Sequence, residues 1–147
     1  MLEQEAVSIG VLLDKTILQK HIPLDGLYMS WSELETIILI NIHRPLSTRV
    51  SALAEELGHH YKSHGIIVPQ RSVTEYKREQ YGRNYAYQRL LPQADLRVAM
   101  KSGVGTLWEL AELFNLPESF VAEAMAYYQR KPSSAIQNAQ CHWCYAH

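Results

Sequence analysis

Residues 53–65, LAEELGHHYKSHG, constrain this chain most, because they set acids and histidines at the spacing that turns one helix face into a ligand-bearing surface. In an α-helix, side chains four apart share a face, so a pair at i and i+4 can grip one ion while i+1 stands beside it. Two registers are available. Glu55 with His59 leaves Glu56 at i+1, a usable general base, whereas Glu56 with His60 leaves Leu57 there, which accepts no proton. Only the first register supplies both ligands and a base. It also puts Gly58 beside His59, where a missing side chain lets other groups come close. His60 falls on a different face and reads as a packing or supporting histidine. By spacing alone the pattern is weak, since acids and histidines at i, i+4 are common on solvated helices.

The flanking sequence gives this helix its setting. Pro45 opens the element, Ser47 or Thr48 is expected to cap it, and Val50, Leu53, Ala54 and Leu57 form its apolar side; Gly65 should end it. Upstream, apolar positions up to about Lys20 suggest an amphipathic helix, broken by Pro23 and Gly26. LYMSW and ETIILINIH then read as two strands, the second apolar enough for burial on both faces. Downstream, IIVPQRS is expected to be extended, TEYKREQYGRNYAYQRLL helical, and ADLRVAMKSG a short helix. TLWELAELFNLPESFVAEAMAYYQR gives two helices parted by Asn115-Leu116-Pro117, a helix-turn-helix-like pair over 106–130. The fold class is therefore α+β: a small antiparallel sheet against a mainly helical body. Residues 1–131 are expected to form one domain and 132–147 a flexible tail.

A catalytic metal site needs a third protein ligand. His64, Glu75 and Glu79 are within reach, and spacing does not choose among them. Composition excludes other classes: Lys plus Arg number 14 against 15 for Asp plus Glu, with no single-sign run to mark a nucleic-acid or membrane partner. No apolar run approaches the roughly 20 residues that span a bilayer, so a soluble, cytoplasmic protein is expected. The two cysteines, Cys141 and Cys144, lie in CHWCYAH with His142 and His147. This cluster lacks a second half and reads as incidental to any metal site.

LAEELGHHYKSHG, preceded by GLYMSWSELETIILIN and followed by KREQYGRNYAYQRLLP and ELAELFNLPESFVAEAMAYY, resembles the ImmA/IrrE family of metallo-endopeptidases, in order from about Leu24 to Tyr128. The form it resembles is that of prophages and mobile elements. In that family an HELGH or EELGH helix is followed by a second helix of pattern K-x-E-x-x-A-x-x-W-A-x-x-x-L-x-P. The run from Lys77 to Pro92 matches it, with Gly82 in place of alanine, at about 1 kcal/mol of helix propensity, and Tyr85 in place of tryptophan.

The resemblance implies a zincin-like fold, with Glu79 as third ligand beside Glu55 and His59, and Glu56 as base. His60, His64 and Glu75 remain candidates for supporting roles. It also implies that the substrate is a helix-turn-helix repressor whose cleavage derepresses the element. Two carboxylates cancel the charge of Zn²⁺, where a His-His-Glu set leaves one positive unit; the ion should be a weaker Lewis acid, and Mn²⁺ becomes a competitor. The expectation is a slow, selective protease. An edge of the IILIN sheet is the expected seat for substrate, bound as an added strand. The alternatives are a non-catalytic antirepressor that sequesters the repressor, and a DNA-binding module. The second is disfavoured because PESFVAEAMAYYQR carries Glu118 and Glu123 and no basic residue before Arg130.

Overall fold

Gly10 cuts short the helix expected over the first twenty residues. Helix α1 spans Leu2–Ser8, and the chain then turns at Gly10, which adopts φ +77, a conformation glycine takes without steric cost. Strand β1 follows at Leu12–Asp14. The computed structural model describes residues 1–14, 24–32, 35–63 and 71–130, so the rest of that expected helix lies outside the described residues.

Strands β2 (Gly26–Ser32) and β3 (Glu35–Ile40) form the expected antiparallel pair, with Tyr28 opposite Ile38. The sheet is nevertheless mixed, because β1 adds parallel to β3 on the other side, in the order β1-β3-β2. The IILIN strand is therefore central; among the described residues the edges of the sheet belong to β1 and β2. Burial along β3 alternates. Thr36, Ile38 and Ile40 are buried while Ile37 and Leu39 are half-buried, so one face packs fully rather than both.

Helix α2 spans Leu46–Ser63 and α3 Arg71–Leu90. Pro45, not Ser47 or Thr48, precedes the first turn of α2, its carbonyl accepting from the Arg49 N–H at 3.0 Å. The stretch 64–70, with His64, Gly65 and most of the expected extended connection, lies outside the described residues; Arg71 and Ser72 already belong to α3. Ile38, Ile40, Leu53, Leu57 and Ala86 join Leu2 and Ala6 in one core between the sheet, α1, α2 and α3.

Helices α4 (Gln93–Lys101), α5 (Leu107–Phe114) and α6 (Glu118–Arg130) build a second core with the end of α3, around Leu91, Leu96, Leu110, Val121 and Tyr128. Thr106 and Glu109 form a capping box at the start of α5, and Asn115 ends it in the left-handed region at φ 51. Among the described residues, no helix is long and apolar enough to cross a membrane. The tail with Cys141 and Cys144 lies outside the described residues.

Beyond the packing of Leu2 and Ala6, helix α1 is tied down by a polar side chain. The Glu5 carboxylate accepts from the hydroxyls of Tyr61 (2.9 Å) and Tyr85 (2.8 Å) and from Arg89 Nη2 (2.9 Å). Burial alone would raise its pKa, but donors from Tyr85, Arg89 and Tyr61 outweigh that and hold it below the ordinary carboxylate value.

Candidate metal centre

Helices α2 and α3 come into close contact where each has a glycine. A Cβ on Gly58 would stand 2.8 Å from Gly82 Cα and 2.9 Å from Tyr85 Cβ, so only glycine permits this approach. A Cβ on Gly82 would stand 2.8 Å from both Cε1 and Nε2 of His59. The glycine that departs from the alanine pattern is thus the residue that makes room for the imidazole. Its helix-propensity cost, about 1 kcal/mol, has a local return.

This approach brings Glu55 and His59 of α2 together with Glu79 of α3. One ligand atom from each lies within 4.8 Å of the other two, and His59 Nε2 is 3.8 Å from Glu79 Oε1. His59 is buried, Glu55 half-buried, and Glu79 open to solvent with its side chain 57% exposed. Burial holds the His59 pKa below its ordinary value, with Arg78 and Arg83 adding to the effect against the pull of Glu79. The imidazole is therefore neutral near pH 7, as a metal ligand must be.

Glu56 lies beside this trio, under the start of β2. A Cβ on Gly26 would come within 3.1 Å of Glu56 Cγ and Oε1, so this glycine gives the carboxyl its space. Burial pushes the Glu56 carboxyl up to about 8, and the charges of Glu55 and Glu79 push the same way; a hydrogen bond from the Tyr28 backbone N–H opposes them. Glu55 is raised too, first by burial and then by Glu79 and Glu123, while Arg83 pulls it down. Three carboxyls and one imidazole at this separation form a region whose electrostatics favour a cation.

The donor set suits a divalent ion: one imidazole nitrogen and two carboxylates, with one flank open to solvent at Glu79. His60 is elsewhere, buried edge-on between the rings of Tyr28 and Tyr61 at 6.1 and 5.9 Å, and belongs to the packing. His64 and the Glu75 side chain lie outside the described residues.

Two features of the site escaped sequence reasoning. Gly26 was legible only as a helix breaker, not as the roof over Glu56. Arg83 had an available signal, being one helical turn from Glu79 and so on the same face. Its partner, however, is across the crossing: Arg83 Nε donates to Glu55 Oε1 at 3.2 Å.

Compared with known proteins, residues 22–125 match the family model of the IrrE N-terminal-like domain, a peptidase family. No curated protein and no solved structure matches the chain.

Proposed function

The chain belongs to the IrrE N-terminal-like family of peptidases, and on that premise we propose that it is a metal-dependent endopeptidase acting on a helix-turn-helix repressor of a prophage or mobile element. The observation that carries this reading is the convergence of Glu55, His59 and Glu79 within 4.8 Å, with Glu56 alongside. Zn²⁺ is the proposed ion and Mn²⁺ its competitor, since two oxygen donors make the set harder than a histidine-rich one. When bound, the ion supplies Lewis acidity, polarising the scissile carbonyl and easing deprotonation of the attacking water.

The chain's own residues do the rest. Glu55, His59 and Glu79 hold the ion. Glu56 takes the proton of the attacking water and returns it to the leaving amine. It can do so only when ionised; burial first, and then the charges of Glu55 and Glu79, keep its pKa high, and a divalent cation offsets the part that comes from those charges. Substrate lies along β2, the edge strand whose first residue packs on Glu56, adding as an extended segment. That mode requires a flexible or locally unfolded stretch in the repressor, which favours selective over general proteolysis. Helices α5 and α6, the helix-turn-helix-like pair, serve as packing elements or a repressor dock on a zincin-like body. The protein acts in the cytoplasm, where the repressor works.

The test is cleavage of the candidate repressor by the wild-type chain and by Glu56→Gln, each loaded with Zn²⁺. Cleavage should be lost in Glu56→Gln and after chelation, with metal content unchanged in the variant. Undiminished cleavage by Glu56→Gln would sink the enzymatic role of that residue. Repressor release that survives without cleavage would replace the protease by a sequestering antirepressor.

A further inference from the structure

The glutamate at position 55 brings a negative charge where a histidine would be neutral, and the structure holds the answer to it on the facing helix. Arg83 reaches across the Gly58–Gly82 crossing and donates from Nε to Oε1 of Glu55 at 3.2 Å. Only one carboxylate oxygen takes part in that contact. The same glutamate offers a ligand atom to the group formed with His59 and Glu79. Arg83 is in turn attracted by Glu123 of α6, and its charge is strengthened by both acids. Its side chain is 46% exposed, so the fold does not need it as a core element.

The geometry points to Arg83 as a positioning residue that acts through Glu55: it fixes the carboxylate by one oxygen and cancels its charge, so that the Glu55–Arg83 pair substitutes for a neutral histidine ligand. This inference rests on the metal-centre reading above. With Arg83 counted, a divalent ion on Glu55, His59 and Glu79 keeps one net positive unit, the same as on a His-His-Glu set. The Lewis acidity that the glutamate seemed to sacrifice is thereby kept, at the expense of affinity, because the guanidinium repels the ion it helps to seat.

That trade gives an unusual sign. A merely structural arginine, once removed, would loosen the metal; a charge-cancelling one, once removed, tightens it. The experiment measures the Zn²⁺ dissociation constant by competition with a chromophoric chelator, on the full chain with Cys141 and Cys144 replaced by serine. The variants are Arg83→Gln, Arg83→Met and Arg83→Lys, with His59→Ala as control. Two charges and one charge separated by roughly 6 Å, in a partly solvated setting, give an expected tightening on the order of tenfold for Arg83→Gln. Arg83→Met, which keeps an apolar stem for packing, must tighten likewise, and Arg83→Lys should stay within about threefold of wild type, since it keeps the charge. Unchanged or weaker binding in both neutral variants would overturn the inference. Failure of wild type to bind Zn²⁺, or binding that survives in His59→Ala, would instead overturn the metal centre, and the role of Arg83 with it.

Discussion

Two stretches of α3 treat their polar side chains in opposite ways. Toward its C-terminus, Tyr87, Gln88 and Arg89 meet partners that settle them. Tyr87 donates to Glu123 Oε2 at 2.7 Å, Gln88 to the Tyr127 hydroxyl at 2.6 Å, and Arg89 to Glu5; the Tyr128 hydroxyl donates to the Leu91 carbonyl at 2.9 Å. Burial and the Glu123 charge raise the Tyr87 hydroxyl, and burial lifts Tyr128 to about 12, so both stay neutral donors. Toward the other end, Glu79, Gly82 and Arg83 face a group where burial and like charge raise Glu55 and Glu56. The C-terminal end spends its polar atoms on stability. The other end gathers carboxyls whose pKa values burial and like charge hold above the ordinary range, which points to a functional site.

The largest effect that sharpens this contrast is in the second core. Leu110 is 1% exposed, and Leu110→Ala should cost about 3 kcal/mol in chemical denaturation, while Zn²⁺ affinity of the folded fraction stays within about twofold. A tenfold loss of affinity would mean that the two regions are one cooperative unit, and the contrast would fail.

Next comes the helix crossing. Gly58→Ala gains about 1 kcal/mol of helix propensity but must push backbone from backbone, for a net cost of about 2 kcal/mol. It should also weaken Zn²⁺ binding by more than tenfold, because the crossing brings Glu79 to His59. Gly105→Ala is the control: its Cβ would meet nothing closer than 4.0 Å, and stability should move by less than about 0.5 kcal/mol.

The smallest effect is electrostatic. Glu56 sits at about 8 in the folded chain against an ordinary carboxyl value of 4.5, so near pH 7 the folded protein keeps a proton that the unfolded one has released. Stability of the metal-free protein must then fall as pH rises toward 8. His59, with its pKa lowered, contributes in the opposite direction, but only below its unfolded value of about 6.5. Between pH 6.5 and 8 the metal-free protein should lose on the order of 1–2 kcal/mol. Glu56→Gln should flatten that slope; an equal slope in the variant would show that the proton belongs elsewhere.

Features carried by short periods were legible in the sequence. The i, i+4 spacing placed Glu55 and His59 on one helix face, and the β2–β3 pair followed from the apolar run after a turn. Two boundaries in the C-terminal half were marked by Asn115 and Pro92, where the backbone turns left-handed or loses a donor. Features that depend on distant partners were not legible. One glycine at position 10 converts an apparent helix into α1 and β1, and β1 makes the IILIN strand central. Glu5 finds donors at positions 61, 85 and 89, which no local pattern connects to it. Arg83 stands one turn from Glu79 on the same helix, but the helix crossing gives it Glu55 as its partner. Gly82 looked like a weak point in a helix until the His59 ring was seen to fill the space.

Glu55, His59 and Glu79 are proposed to form one metal centre. The most direct measurement is metal content by elemental mass spectrometry, on the full chain with Cys141 and Cys144 replaced by serine and on its His59→Ala and Glu79→Ala variants. One Zn²⁺ or Mn²⁺ per wild-type chain is expected, with loss of that ion in both variants. No metal in the wild type after exposure to Zn²⁺ and Mn²⁺, or a full equivalent retained in either variant, would contradict it.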